Sequence, residues 1–245
     1  MISKNTLNGI IGRFHLKRFF KSQKEFLRDN RGGFLIPIEV KLSDVEFARY
    51  RCLSINWSLP QLTEKDLPPD FSKKAVKTVD MFRRKTYSLD YECMIYFDIE
   101  TGNIVFCNFS NENKPDAVTG EIYGDALKNM HIASVHNHPK QYYSPPSGKN
   151  FEMLGIQFEE YELILSEKEL WILESKEVIF NDEVIEDIRN NAEDYFDSIL
   201  EDSYNIFEKN YLIIDNINYL YGNFLLDYLN NDFDDIKLIR RYLDE

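Results

Sequence analysis

The chain has 245 residues, 43% of them hydrophobic and 14% aromatic. That suits one medium α/β domain with extensions or two small domains, and it excludes a disordered acidic protein despite the net charge of -13. The charge is uneven, at +8 over residues 1–90, −3 over 91–150 and −18 over 151–245, so a basic front precedes an acidic tail.

No stretch approaches the length of a membrane span, and the alternating basic and apolar residues after Met1 form no signal-peptide h-region, so neither membrane nor export is expected. Cys52, Cys93 and Cys107 make no CxxC pair, and such sparse thiols point to a reducing, cytoplasmic setting.

Residues 1–31 carry eight Lys and Arg against two Asp and Glu, with Phe14, Leu16, Phe19, Phe20 and Phe26 between them. A short amphipathic helix with a basic face is expected there, ending at Gly32-Gly33. No nucleic-acid-binding motif accompanies this charge, so a nucleic-acid partner is not expected. Phe34–Val40 reads as a strand whose Pro37 favours an edge. The prolines at 60, 68 and 69 mark a connection, and Val76, Val79 and Phe82 recur at helical spacing over 72–86.

Tyr91–Ile99 and Ile104–Asn108 are apolar runs around the turn signal Glu100-Thr101-Gly102-Asn103, which predicts a hairpin. A helix is expected over 122–130, a strand over 131–136 and a helix starting near Asn150. A second hairpin should turn at Glu167-Lys168 between Tyr161–Leu165 and Leu170–Leu173. From about 182 the periodicity is helical through three stripes: Val184, Ile188, Ala192, Tyr195 and Ile199; Ile213, Ile217, Leu220 and Phe224; then Phe233, Ile236, Ile239 and Leu243. The Asn/Asp-rich run 227–235 reads as a loop.

The chemistry concentrates at His136-Asn137-His138-Pro139. If the strand continues to 138, both imidazoles point to one face, and Pro139 biases His138 towards extended backbone. Two such imidazoles supply half of a tetrahedral zinc shell. A proline-rich loop then leads to Ser147-Gly148-Lys149-Asn150. The letters His-Asn-His do not make an HNH nuclease, whose residues are not consecutive, and Tyr143 stands where a phosphate loop needs glycine.

His-x-His-Pro followed by Ser-x-x-Asp resembles the JAMM/MPN (JAB-type) metalloprotease family and the related RadC-type proteins. The spacer is one residue longer than is usual in that family, and Asn150 stands where the family has a metal-binding aspartate. The resemblance covers roughly residues 70–178. It implies an α/β fold, a mixed sheet flanked by helices, with the JAMM/MPN-like domain over 71–180; charge and periodicity add a basic extension over 1–70 and a helical acidic C-terminal region over 181–245.

It also implies a Zn2+ site. His136, His138 and Asn150 would be the ligands, with Glu152 as the alternative third ligand. Glu92 would be the general base, with Glu121 its rival, and Ser147 would donate to the oxyanion or simply cap the following helix. His131 is expected to be structural or an outer partner of the ligands. The implied activity is hydrolysis of a peptide or isopeptide bond in a protein or peptide substrate, ubiquitin-like conjugates among them. The alternative is a non-catalytic scaffold with a degenerate metal site, whose C-terminal helices would meet a protein partner or a second copy.

Overall fold

A computed structural model describes residues 44–110, 130–139, 143–153, 159–175, 182–204 and 211–243. The expectations over 1–31 and 34–40, that over 122–130 except its last residue, and the rival base Glu121 lie outside these residues. Among the described residues there are five helices: α1 (Asp44–Cys52), α2 (Lys73–Thr86), α3 (Gly148–Met153), α4 (Asp182–Tyr204) and α5 (Tyr211–Asp232). Six strands accompany them: β1 (Cys93–Asp98), β2 (Ile104–Phe109), β3 (Ile132–Asn137), β4 (Glu159–Leu165), β5 (Glu169–Ser175) and β6 (Ile236–Tyr242).

The strands form one mixed sheet in the order β2-β1-β3-β4-β5-β6. Only β3 and β4 run parallel. The α/β class read from the sequence therefore holds. Both hairpins form where expected. In the first, Asp98 accepts from the backbone of Glu100 at 2.8 Å, and Gly102 takes φ +70, with Lys74 backbone where a Cβ would sit.

Because side chains alternate along a strand, the sheet buries two different faces. On the first, Cys93, Ile95 and Phe97 of β1, Ala133 and Val135 of β3 and Leu163 and Leu165 of β4 pack against α2 and residues 50–71. Helix α2 starts where Ser72 accepts from Ala75 N at 3.1 Å. Its three C-terminal cations point inward. The ammonium of Lys85 donates to the carbonyls of Tyr50, Arg51 and Leu53 and so satisfies the end of α1, while Arg84 pairs with Asp80 at 2.8 Å. Part of the basic front is thus used inside the fold.

On the second face, Ile164, Trp171, Leu173, Ile236 and Leu238 meet Phe151 of α3 and the apolar sides of α4 and α5. Helix α4 buries Ile188, Ala192 and Ile199 as its periodicity predicted. Helix α5 uses its predicted stripe in part: Ile217 is buried and Phe224 packs against the same core. Leu220 is 49% exposed, and the buried row is Ile217, Tyr221, Leu225 and Leu229. That row carries the helix on to Asp232, through most of the run read as a loop.

The third predicted C-terminal helix is instead β6. Ile236 and Leu238, two residues apart, face the helices, and Ile239 pairs with Ile172 of β5. Asn230 exchanges hydrogen bonds with Leu238 at 2.8 and 2.9 Å, joining the end of α5 to the strand. Among the described residues, no helix is long and apolar enough to cross a membrane.

Candidate functional site

Strand register brings the motif residues together. In the antiparallel β1–β3 pair Met94 lies opposite His136. Glu92 precedes Met94 by two residues and His138 follows His136 by two, so all four side chains share one face. In the parallel β3–β4 pair Ser134 lies beside Glu162 and His136 beside Ile164, which puts Glu162 on that face too. It is the helix-covered second face, where it runs towards β1.

The backbone here is tightly tied. His138 N donates to Leu165 O at 2.7 Å, extending the β3–β4 ladder past its end. Glu92 N donates to Ser110 Oγ at 3.1 Å, and Ser110 N donates back to Glu92 O at 2.9 Å. Asn137 points to the other face, where its Oδ1 accepts from Cys93 N at 2.8 Å and its Nδ2 donates to Tyr91 O at 3.2 Å. The middle residue of His-x-His, to which sequence analysis gives no role, thus fixes the peptides on either side of Glu92.

His136 Nε2 and His138 Nε2 stand 3.1 Å apart, and Glu92 Oε1 is 4.0 Å from His138 Nε2. Both imidazoles are buried. Burial holds His136 well below the usual imidazole range, with His138 beside it adding to the effect. Burial likewise lowers His138 to about 4. Both rings are therefore neutral at pH 7, the form that binds metals. Two nitrogens on one tetrahedral zinc, each ~2.0–2.1 Å from it, lie about 3.3 Å apart. The observed separation fits a metal at these two positions.

The third position fits differently. Asn150 Oδ1 accepts from Ser147 N at 2.7 Å and from Ser147 Oγ at 3.0 Å, while its Nδ2 donates to Glu162 Oε1 at 2.8 Å. Ser147 and Asn150 thus close the first turn of α3 in the manner of a capping box. Both lone pairs of the amide oxygen are engaged. The side chain of Glu152 lies outside the described part. Among the described residues, no group of three His, Cys, Asp or Glu side chains is arranged to hold a metal ion.

Two partners absent from the motif reading touch the histidines. Glu162 is buried, its Oε1 3.5 Å from His136 Nδ1, and burial raises its carboxyl to about 7. Ser144 Oγ makes a short contact with His138 Nδ1. Ser144 also hydrogen-bonds through its backbone to Glu169, which pairs with Arg240 of β6 and accepts from Trp171 Nε1 at 2.9 Å. The C-terminal strand therefore supports the loop that contacts His138. His131 lies apart: its side chain is 52% exposed, and it pairs with Glu160 at 2.5 Å, which raises its pKa. This agrees with a structural role.

In comparisons with known proteins, no protein-family model, curated protein or solved structure matches this chain.

Proposed function

We propose that the chain is a JAMM-like zinc-dependent peptidase or isopeptidase acting on a protein or peptide substrate, ubiquitin-like conjugates being one class. The observation that carries this reading is the meeting of Glu92, His136 and His138 at one buried sheet end, with the two Nε2 atoms 3.1 Å apart and Glu92 beside them. The mixed sheet with helices on both faces is compatible with the JAMM/MPN fold. A cytoplasmic setting suits the free thiols of Cys52, Cys93 and Cys107.

In this reading His136 and His138, whose Nε2 atoms face each other, would hold the metal. Bound zinc would polarise a scissile carbonyl and make water a nucleophile at neutral pH. Glu92 takes the proton of the attacking water and delivers it to the leaving amine. Ser147 donates its hydroxyl to the oxyanion, for which it must turn from Asn150 Oδ1.

A second reading, a scaffold with a degenerate site, has one observation in its favour: the amide oxygen of Asn150 is already engaged by Ser147. The test is turnover of a peptide and isopeptide panel by zinc-loaded protein, beside Glu92→Gln. Loss of roughly 100-fold or more in the variant, with folding unchanged, is expected for a general base. Equal rates in parent and variant would refute the mechanism. No turnover by the zinc-loaded parent would favour the scaffold.

A further inference from the structure

Glu162 belongs to no motif, yet it touches both ends of the proposed site. Its strand position, beside Ser134 of β3, directs it to the face of His136. One atom, Oε1, lies 2.8 Å from Asn150 Nδ2 and 3.5 Å from His136 Nδ1. His136 Nδ1 is itself buried and has no hydrogen-bond partner among the described residues. Facing an ionised carboxylate oxygen, a buried imidazole nitrogen is satisfied when it carries the proton, because two lone pairs would repel. That tautomer leaves the His136 Nε2 lone pair facing His138.

The amide orientation at position 150 follows from the same geometry. Ser147 N is a donor, so the atom 2.7 Å from it must be the oxygen of Asn150. The nitrogen then necessarily faces Glu162. An aspartate in this place would set a second carboxylate oxygen about 2.8 Å from that of Glu162, an arrangement that both groups could not share while ionised.

We propose that Glu162 is a positioning residue for His136, holding it as the Nδ1-protonated tautomer, and that asparagine stands at 150 because its amide can donate to that carboxylate. This rests on the reading of His136 and His138 as metal ligands. It assigns the departure from Ser-x-x-Asp to the neighbour of position 150: an amide there donates to Glu162, where an aspartate would repel it. Carboxylates that accept the free N–H of a metal-binding histidine raise its basicity and fix its plane.

Two measurements on the full chain test this. The first is zinc affinity by chelator competition for the parent, Glu162→Gln, Asn150→Asp and the double variant. Glu162→Gln should bind zinc roughly 10- to 100-fold more weakly, the range for lost outer partners of metal ligands. Asn150→Asp alone should bind no better than the parent, and the double variant should regain at least the parent's affinity. Parent-like binding by Glu162→Gln, with tighter binding by Asn150→Asp alone, would overturn the proposal.

The second measurement is the imidazole 15N spectrum of His136 in metal-free protein. The Nδ1–H form should dominate in the parent and give way to Nε2–H in Glu162→Leu, which removes the acceptor facing Nδ1. An unchanged tautomer would overturn the proposal even if zinc binds. If zinc binds neither parent nor variants while the tautomer shifts as stated, the metal reading fails and the positioning role of Glu162 stands.

Discussion

Metal-free Glu162→Gln should lose acid tolerance that the parent has. In the folded protein burial lowers His138 to about 4 and raises Glu162 to about 7, with donation from Asn150 opposing the latter shift and the nearby Glu92 adding to it. Between pH ~6.5 and ~4 an unfolded histidine takes up a proton that folded His138 refuses, so His138 withdraws stability as pH falls through that window. Glu162 has the opposite sign. Its contribution is fully present below the unfolded carboxyl value of 4.5 and is lost as pH rises through about 7.

From about pH 7 to about pH 4.5 the histidine removes roughly 2–3 kcal/mol and the glutamate adds a similar amount, so the two oppose each other. His136, lowered, and Glu159, raised by burial and by Glu162, act with the same pair of signs. Glutamine at 162 still accepts from Asn150 but takes up no proton. Relative to the parent, the variant should therefore lose roughly 2–3 kcal/mol over that pH range. Urea unfolding of chelator-stripped protein at both ends of the range measures this. Parallel stability profiles for parent and variant would refute the assignment of opposed, buried titrating groups.

Two further outcomes follow from the ties around the site. Asn137→Ala removes the acceptor for Cys93 N and the donor to Tyr91 O in a buried place, and should cost roughly 2–4 kcal/mol in urea unfolding. It should also lower turnover by releasing the peptides that flank Glu92. Arg240→Met strands fully buried Glu169 without its cation, and should cost roughly 3–5 kcal/mol. Arg240→Met with Glu169→Leu should recover most of that loss, and a double variant as unstable as the single one would contradict the ion-pair reading.

Much of the sheet was legible because its strands are dense in β-branched and aromatic residues and end in turn signals, as at Glu100–Asn103. The C-terminal strand was misread because Phe233, Ile236 and Ile239 fall three apart, as on a helix. The competing alternation of Ile236 and Leu238 wins because the open edge of β5 pairs with it. Helix α5 outruns its predicted end for a related reason: burial of Leu225 and Leu229 outweighs the weak helix propensity of the Asn and Asp residues around them.

At the site, His136 and His138 could be named from spacing, since alternation on a strand fixes which residues share a face, and Glu92 from the resemblance alone. Glu162 could not. Within Glu159–Leu165 it alternates as a solvent-facing residue would, and only the register of β4 beside β3 brings it to His136. The engagement of Asn150 with Ser147 was equally hidden, because a capping box and a metal ligand use the same residue spacing.

The most direct test of the central claim is zinc content by elemental analysis of protein purified without added metal, beside His136→Ala. The account predicts about one zinc per chain in the parent and none in the variant. A parent without zinc that also fails to take it up on reconstitution, or a variant that retains it, would contradict the claim that His136 and His138 form a metal site.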